Sequence, residues 1–283
     1  MVRRRQISTD QIEPECVVLL PAVLSYPAID PILVEIGPFA IRWYALAYIA
    51  GLLLGWRYVV ALTRLPQSPL EKQDVDDFIV WATFGVILGG RIGYTLFYRP
   101  DYYLAHPLEI LFVWQGGMSF HGGLIGVIVA VWWFSQRRGL STLGVGDYIA
   151  CAAPIGLFFG RIANFINAEL FGRTSDVAWA MVFPRGGPQP RHPSQLYEAL
   201  LEGALLLVVL AILVRKDRIR LRRGTLFGLF LVGYGATRAF AELFREPDAH
   251  LGFLLAGLTM GQLLSVPVIL LGIYLVSRAK SPT

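Results

Sequence analysis

Charge is scarce in this chain: only 16% of its 283 residues are Asp, Glu, Lys or Arg, while 55% are hydrophobic. With a mean hydropathy of +0.56, that balance excludes a soluble domain of ordinary composition and points to an integral membrane protein. Cysteine is scarcer still. Cys16 and Cys151 are far apart and have no metal-ligand spacing, so neither a disulfide framework nor a zinc site is implied. Cys151 is expected as a small buried hydrophobe. The chain has no Gly-x-Ser-x-Gly elbow, no His-Glu-x-x-His and no Walker sequence. The common hydrolase, zinc-protease and nucleotide-binding chemistries therefore lack their parts, and no metal or cofactor is expected. Internal repeats and low-complexity tracts are also missing, which argues against a transporter built from paired halves. The net charge of +5 sits in short basic clusters between apolar runs. Such clusters mark membrane orientation, and nucleic acid is not an expected partner.

A span requires about 20 apolar residues. Seven stretches qualify as candidates, at roughly 38–60, 77–97, 118–135, 146–168, 194–214, 224–243 and 257–277. The expected fold is an all-α membrane protein of seven transmembrane helices. Arg57, Arg64 and Lys72, Arg137 and Arg138, the six basic residues from Arg215 to Arg223, and Arg278 with Lys280 all fall on one side of it. The positive-inside rule then places the N-terminus outside and the C-terminus in the cytoplasm. Arg3 to Arg5 oppose this but lie far before the first span. Residues 1–28 are read as an N-terminal extension, partly disordered or interfacial, because Pro14, Pro21 and Pro27 interrupt their apolar stretch. The remainder, 29–283, is expected as a single domain. It carries an interfacial arm at about 98–117 and a small outer head of turns and short strands at about 169–193.

Against this apolar background, the polar residues inside spans are the informative ones. Arg161, Asn164, Asn167, Glu169 and Arg173 crowd the end of the fourth span, where a central arginine costs about 2.5–3.5 kcal/mol to insert. They share one broad arc of a helix, and Gly172 offers the backbone a place to turn out. Arg238, Glu242 and Arg245 form an i, i+4, i+7 stripe on the sixth span. Arg238 and Glu242 could simply neutralise each other. Alternatively, Arg161 and Arg238, having no evident buried acids to match, grip a phosphate through their planar guanidinium groups, with Glu242 and Asp147 balancing part of the charge. His121 opens the third span beside Gly122 and Gly123, where burial would keep the imidazole neutral and able to accept a proton. Arg91 lies inside the second span beside Gly85, Gly89 and Gly93, a small-residue stripe best read as a helix-packing surface. His192 precedes Pro193 at the start of the fifth span, and Glu198 and Glu202 follow at i, i+4. Tyr44 sits at the mouth of the first span, where aromatic residues are common.

Several of these motifs together resemble one family. Ile36-Gly37-Pro38 with Trp43-Tyr44, Gly89 to Tyr94, Ser119 to Gly123, Gly160 to Gly172, His192 to Glu198 and Arg238 to Asp248 occur in the order seen in the prolipoprotein diacylglyceryl transferases. The resemblance runs from about Ile29 to Val276. Ala163 stands where many relatives carry glycine. The resemblance implies a bacterial inner-membrane enzyme with its active site toward the periplasmic half. It would move the diacylglyceryl group of phosphatidylglycerol to the lipobox cysteine of a prolipoprotein signal peptide, forming a thioether and releasing glycerol 1-phosphate. It implies His121, Arg161, Arg238 and Tyr44 as catalytic residues. Asn164, Asn167, Glu169, Gly172, Arg91, Glu242, Gly122 and Gly123 would bind substrate, with Asp147, His192 and Arg245 in support. Whether His121 is the base or orients the lipid is left open. The enzyme would act as a monomer in the lipid bilayer, without a cofactor. A lipid or anion transporter using the same arginines is the alternative reading, and another phosphatidylglycerol-using transferase is a second.

Overall fold

The computed structural model describes residues 24–280 apart from 28, 38, 248–251, 253 and 255–256. Arg3 to Arg5, Cys16, most of the N-terminal extension and the end of the Arg238 to Asp248 motif lie outside the described residues. Among the described residues, seven helices reach 17 residues or more: α1 (Trp43–Leu62), α2 (Lys72–Phe97), α4 (Phe120–Arg138), α5 (Thr142–Ile166), the rod Ser194–Leu213, α9 (Thr225–Ala241) and α10 (Met260–Arg278). Five of them are long and apolar enough to cross a membrane; α4 falls short in composition and α9 in length. The rod is composite. It comprises α6 (Ser194–Glu198), a π-helical turn at Ala199–Leu205 and α7 (Leu206–Leu213). Short helices α3 (Pro100–Ala105) and α8 (Asp217–Arg220) lie in the links.

Local chemistry sets the helix ends. Ser119 and Ser141 open α4 and α5 by accepting the backbone N–H groups of Gly122 and Gly144 through their hydroxyls, both at 3.2 Å. Thr259 and Gln262 cap α10 reciprocally, and Gly139 ends α4 with a left-handed backbone at φ 66°. The first helix begins later than the apolar run suggests. Residues before Trp43 form a hairpin in which β2 (Ile32–Ile36) pairs antiparallel with β3 (Phe39–Arg42). The last part of the N-terminal extension is also tied down. There β1 (Leu24–Ser25) pairs in parallel with β4 (Met181–Val182) in the 169–193 segment. The Tyr26 side chain is buried, and its hydroxyl lies 2.7 Å from the carbonyl oxygens of both Phe165 and Ile166 at the end of α5.

Packing follows the sequence pattern. Gly85, Gly89 and Gly93 of α2 face Gly122 and Gly126 of α4 so closely that a Cβ on Gly93 would stand 2.8 Å from the Gly122 Cα. This seam is the close helix approach that small residues permit. A dry core joins α1, α5, α7 and α9 through Val59, Val145, Tyr148, Cys151, Leu210 and Leu226. Cys151 is a free, buried thiol within it. Leu53, Phe84, Trp132 and Leu270 point outward and are exposed. An outer face of that kind suits hydrocarbon and not water.

Candidate functional site

The site is built at the end of α5. The helix stops at Ile166, and the chain then turns through two non-glycine residues in the left-handed region, Ala168 at φ 52° and Leu170 at φ 56°. Side chains from the head of the rod hold this strained corner. Gln195 donates to the Glu169 carbonyl at 2.6 Å, and Ser194 donates to the Leu170 carbonyl at 3.1 Å. Inside the corner, the amide groups of Asn164 and Asn167 both donate to Oε1 of Glu169, at 2.8 and 3.4 Å. Asn164, Asn167 and Glu169 therefore form one cluster.

Gly172 does not make the turn expected of it. The left-handed positions are Ala168 and Leu170. Gly172 instead lies where a Cβ would come 2.5 Å from the Phe244 carbonyl oxygen and 2.6 Å from the His192 Cβ. Its N–H donates to the His192 carbonyl at 2.9 Å, and it bridges Arg245 in antiparallel fashion. Its small size thus admits the protein's own backbone at this point. Arg173, the next residue, reaches the carbonyl oxygens of Arg245 at 2.9 Å and Glu242 at 3.1 Å, fastening the end of α9. The His192 ring packs against Phe244, with centroids 5.2 Å apart, and its Nδ1 lies 3.1 Å from the Tyr197 hydroxyl. Burial pushes the imidazole pKa below its ordinary 6.5.

One helical turn deeper, the helices meet in an ionic centre. Oε2 of Glu198 lies 2.8 Å from Nη2 of Arg161, 2.5 Å from Nη1 of Arg238 and 3.6 Å from Nη1 of Arg245. Glu202 is the second acid, 3.3 Å from Arg161 and 3.7 Å from Arg238. Arg238 also pairs with Glu242, whose other oxygen accepts from the Thr259 hydroxyl at 2.6 Å. Both Glu198 and Glu202 are fully buried, whereas Arg161 and Arg238 retain 17% and 14% side-chain exposure. Contrary to the expectation from sequence, these arginines do not lack matching acids: each one faces a buried carboxylate. In sequence, Glu198 and Glu202 stand out only as an i, i+4 pair. The rule that singled out Arg161, an ionisable group within a span, applies equally to both acids. The π turn that carries Glu202 had no comparable signal. It packs against α5 so tightly that a Cβ on Gly203 would stand 2.6 Å from the Phe158 Cβ. Such turns recur at functional sites.

Other expected site residues lie apart from this centre or have different partners. Arg91 is buried and donates to the carbonyl oxygens of Glu109, Ile110, Gly116 and Gly117 at 2.6–3.2 Å, so its guanidinium holds the 98–117 segment in place. Asp147 accepts the N–H groups of Gly224 at 2.7 Å and Phe227 at 2.8 Å, capping α9 from the far end of α5. Gly122 is taken up by the α2–α4 seam, while Gly123 has only ordinary contact with Val86. His121 is exposed, not buried as its place at the start of the third span suggested, with its ring 5.6 Å from that of Phe120. The Tyr44 ring lies 5.1 Å from that of Tyr48 on α1. Two spaces open between the helices. One is a cavity of about 30 Å³ beside Arg238, Glu242, Arg245 and Thr259. The other is a groove of about 730 Å³ between α1, α5 and the rod, lined by apolar side chains such as Phe158, Phe159 and Leu207, with Arg57 and Tyr58 among them. Among the described residues, no His, Cys, Asp and Glu cluster could hold a metal ion.

The fold and site define a multi-pass helical membrane protein with a buried arginine–glutamate centre. The sequence profile of prolipoprotein diacylglyceryl transferase matches residues 31–278, and the chain belongs to that family. Its relatives include proteins named phosphatidylglycerol–prolipoprotein diacylglyceryl transferase from three bacteria. The one from Paramagnetospirillum magneticum is 65% identical over 257 residues, covering 90% of this chain and 96% of the relative. Those from Azospirillum brasilense and Rhodospirillum rubrum are 62% and 60% identical, covering 91% and 92% of this chain and 97% and 96% of theirs.

Proposed function

We propose that this chain transfers the diacylglyceryl group of phosphatidylglycerol to the lipobox cysteine of prolipoproteins, the first step of bacterial lipoprotein maturation. The names of its relatives support the reaction. The observation that carries its location is the pairing of Arg161 and Arg238 around Glu198. Two guanidinium groups held within reach of one atom can together receive a phosphate headgroup. Their residual exposure leaves them accessible, whereas the acids behind them are sealed.

In this reading the cysteine thiolate attacks the glycerol carbon that bears the phosphate ester. The sulfur–carbon bond forms, the carbon–oxygen bond breaks, and glycerol 1-phosphate leaves. Arg161 and Arg238 stabilise the charge that develops on the departing oxygen. His121 accepts the thiol proton, with orientation of the lipid as its alternative role. Tyr44, Asn164, Asn167 and Glu169 position the substrates, while Gly123 leaves room beside His121. Arg245 and Glu242 set the orientation of Arg238. Arg91, Asp147, His192 and Gly172 act indirectly by fixing the elements around the site, and Gly122 does so through the α2–α4 seam.

The seven long helices are all taken as spans, with the N-terminus outside, the C-terminus in the cytoplasm and the site toward the periplasmic half of the inner membrane. The arm at 98–117 and the head at 169–193 guide the signal peptide, and lipid enters sideways through the groove between α1, α5 and the rod. The enzyme acts as a monomer.

The test is a detergent-micelle assay with phosphatidylglycerol and a lipobox peptide. A peptide mass increased by one diacylglyceryl group, with equimolar glycerol phosphate, is expected. Lipid binding with no adduct would favour a lipid transporter instead.

A further inference from the structure

Glu198 and Glu202 are unequal. Glu198 makes three arginine contacts through one oxygen, the closest at 2.5 Å. The Glu202 contacts are fewer and longer, at 3.3 and 3.7 Å, while Oε1 of each acid is buried without a hydrogen-bond partner. The charged and titratable groups facing Glu202 come from three elements: Arg161 on α5, Glu198 on α6, and Arg238 with Tyr234 on α9. Packed below it, α7 contributes only apolar side chains.

A phosphate group arriving at Arg161 and Arg238 must compete with carboxylates already in place. The more weakly held one yields first. Once displaced, Glu202 would be a buried anion without a cation and beside another anion, Glu198. A carboxylate in that position takes up a proton in preference to remaining charged. We infer that Glu202 is a proton-coupled counter-ion: binding of an anionic phospholipid headgroup to Arg161 and Arg238 displaces its carboxylate and is accompanied by the uptake of one proton. The proton is released again when glycerol phosphate departs and Glu202 re-pairs. The inference rests on the proposed headgroup site and adds a positioning residue to it. It also implies discrimination by charge, since a neutral lipid such as diacylglycerol leaves the pairs intact.

Calorimetric titration of the full chain in detergent with short-chain phosphatidylglycerol, repeated in two buffers of different ionisation enthalpy, counts protons directly. One proton taken up per lipid is expected, with none for diacylglycerol. Between the pH at which paired Glu202 is protonated in the free protein and the higher pH at which the displaced acid releases its proton, affinity should fall by about tenfold per pH unit, the slope for one linked proton. The Glu202→Gln variant, which is uncharged throughout, should bind phosphatidylglycerol with no proton uptake and a flat pH profile, whereas Glu242→Gln should keep the uptake. Binding by the unmodified chain without proton uptake would overturn the inference and leave the headgroup site standing. Uptake that persists in Glu202→Gln would overturn the assignment to Glu202. Absence of phosphatidylglycerol binding to the unmodified chain would overturn the headgroup site and the inference together.

Discussion

Glu198 on α6 pairs with Arg161 on α5 at 2.8 Å, and the carboxylate has no exposed surface. This pair joins two helices in a place where water cannot relieve a mistake. Replacing Glu198 with alanine leaves only the longer contacts of Glu202 between Arg161 and Arg238. Removing one partner of a buried pair typically costs about 3–5 kcal/mol. A loss of that order is expected for Glu198→Ala in denaturant titration in micelles, with a smaller loss for Glu198→Gln.

Arg91 should control the arm and not the chemistry. It donates to four backbone carbonyls between Glu109 and Gly117, and a hydrogen bond from a charged group is worth about 1.5–3 kcal/mol. In Arg91→Met, limited proteolysis between residues 98 and 117 should accelerate by about tenfold or more, the equivalent of losing one such bond. Cleavage elsewhere should be unchanged.

The α2–α4 seam predicts a sharp contrast between glycines. A Cβ on Gly89 would stand 2.9 Å from the Gly126 Cα, whereas Gly160 has nothing within 4 Å of the same position. Gly89→Val should lower the unfolding temperature clearly, since overpacking costs about 1–3 kcal/mol. Gly160→Ala should be neutral or stabilising by up to about 1 kcal/mol from helix propensity.

The half-buried ring of His192 gives stability a pH dependence of known sign. Its pKa is lowered in the folded protein from 6.5, so the unfolded chain binds the proton more readily. Stability from this residue is complete above pH 6.5 and declines as pH falls below it. The unfolding temperature should decrease more between neutral and mildly acid pH in the unmodified protein than in His192→Gln.

The helices were legible because apolar length is a strong signal, and the polar cluster from Arg161 to Glu169 stood out because its residue types are expensive within a span. The hairpin before Trp43 was hidden by its own hydrophobicity, since strand residues such as Phe39 and Ile41 carry the apolar character up to Arg42 at the start of α1. Partnership across the fold was the hardest to read. Neither Arg91 nor Asp147 has its partner nearby in sequence, and both turned out to bind backbone groups that carry no residue-specific signature. Glu198 and Glu202 were visible as an i, i+4 pair, yet only the tertiary packing of α5, α6 and α9 reveals which cations they meet.

The most direct test of the account is the initial rate of peptide-adduct formation in Arg161→Gln and Arg238→Gln, measured beside the unmodified chain and His121→Ala. Removing a group that stabilises developing charge commonly costs about 100- to 1,000-fold in rate. A loss of at least that size is expected for each arginine variant, with unfolding curves showing that the protein remains folded, while the residual rate of His121→Ala grades its role as base. Adduct formation at the unmodified rate in either folded arginine variant would contradict the placement of the reaction at this centre.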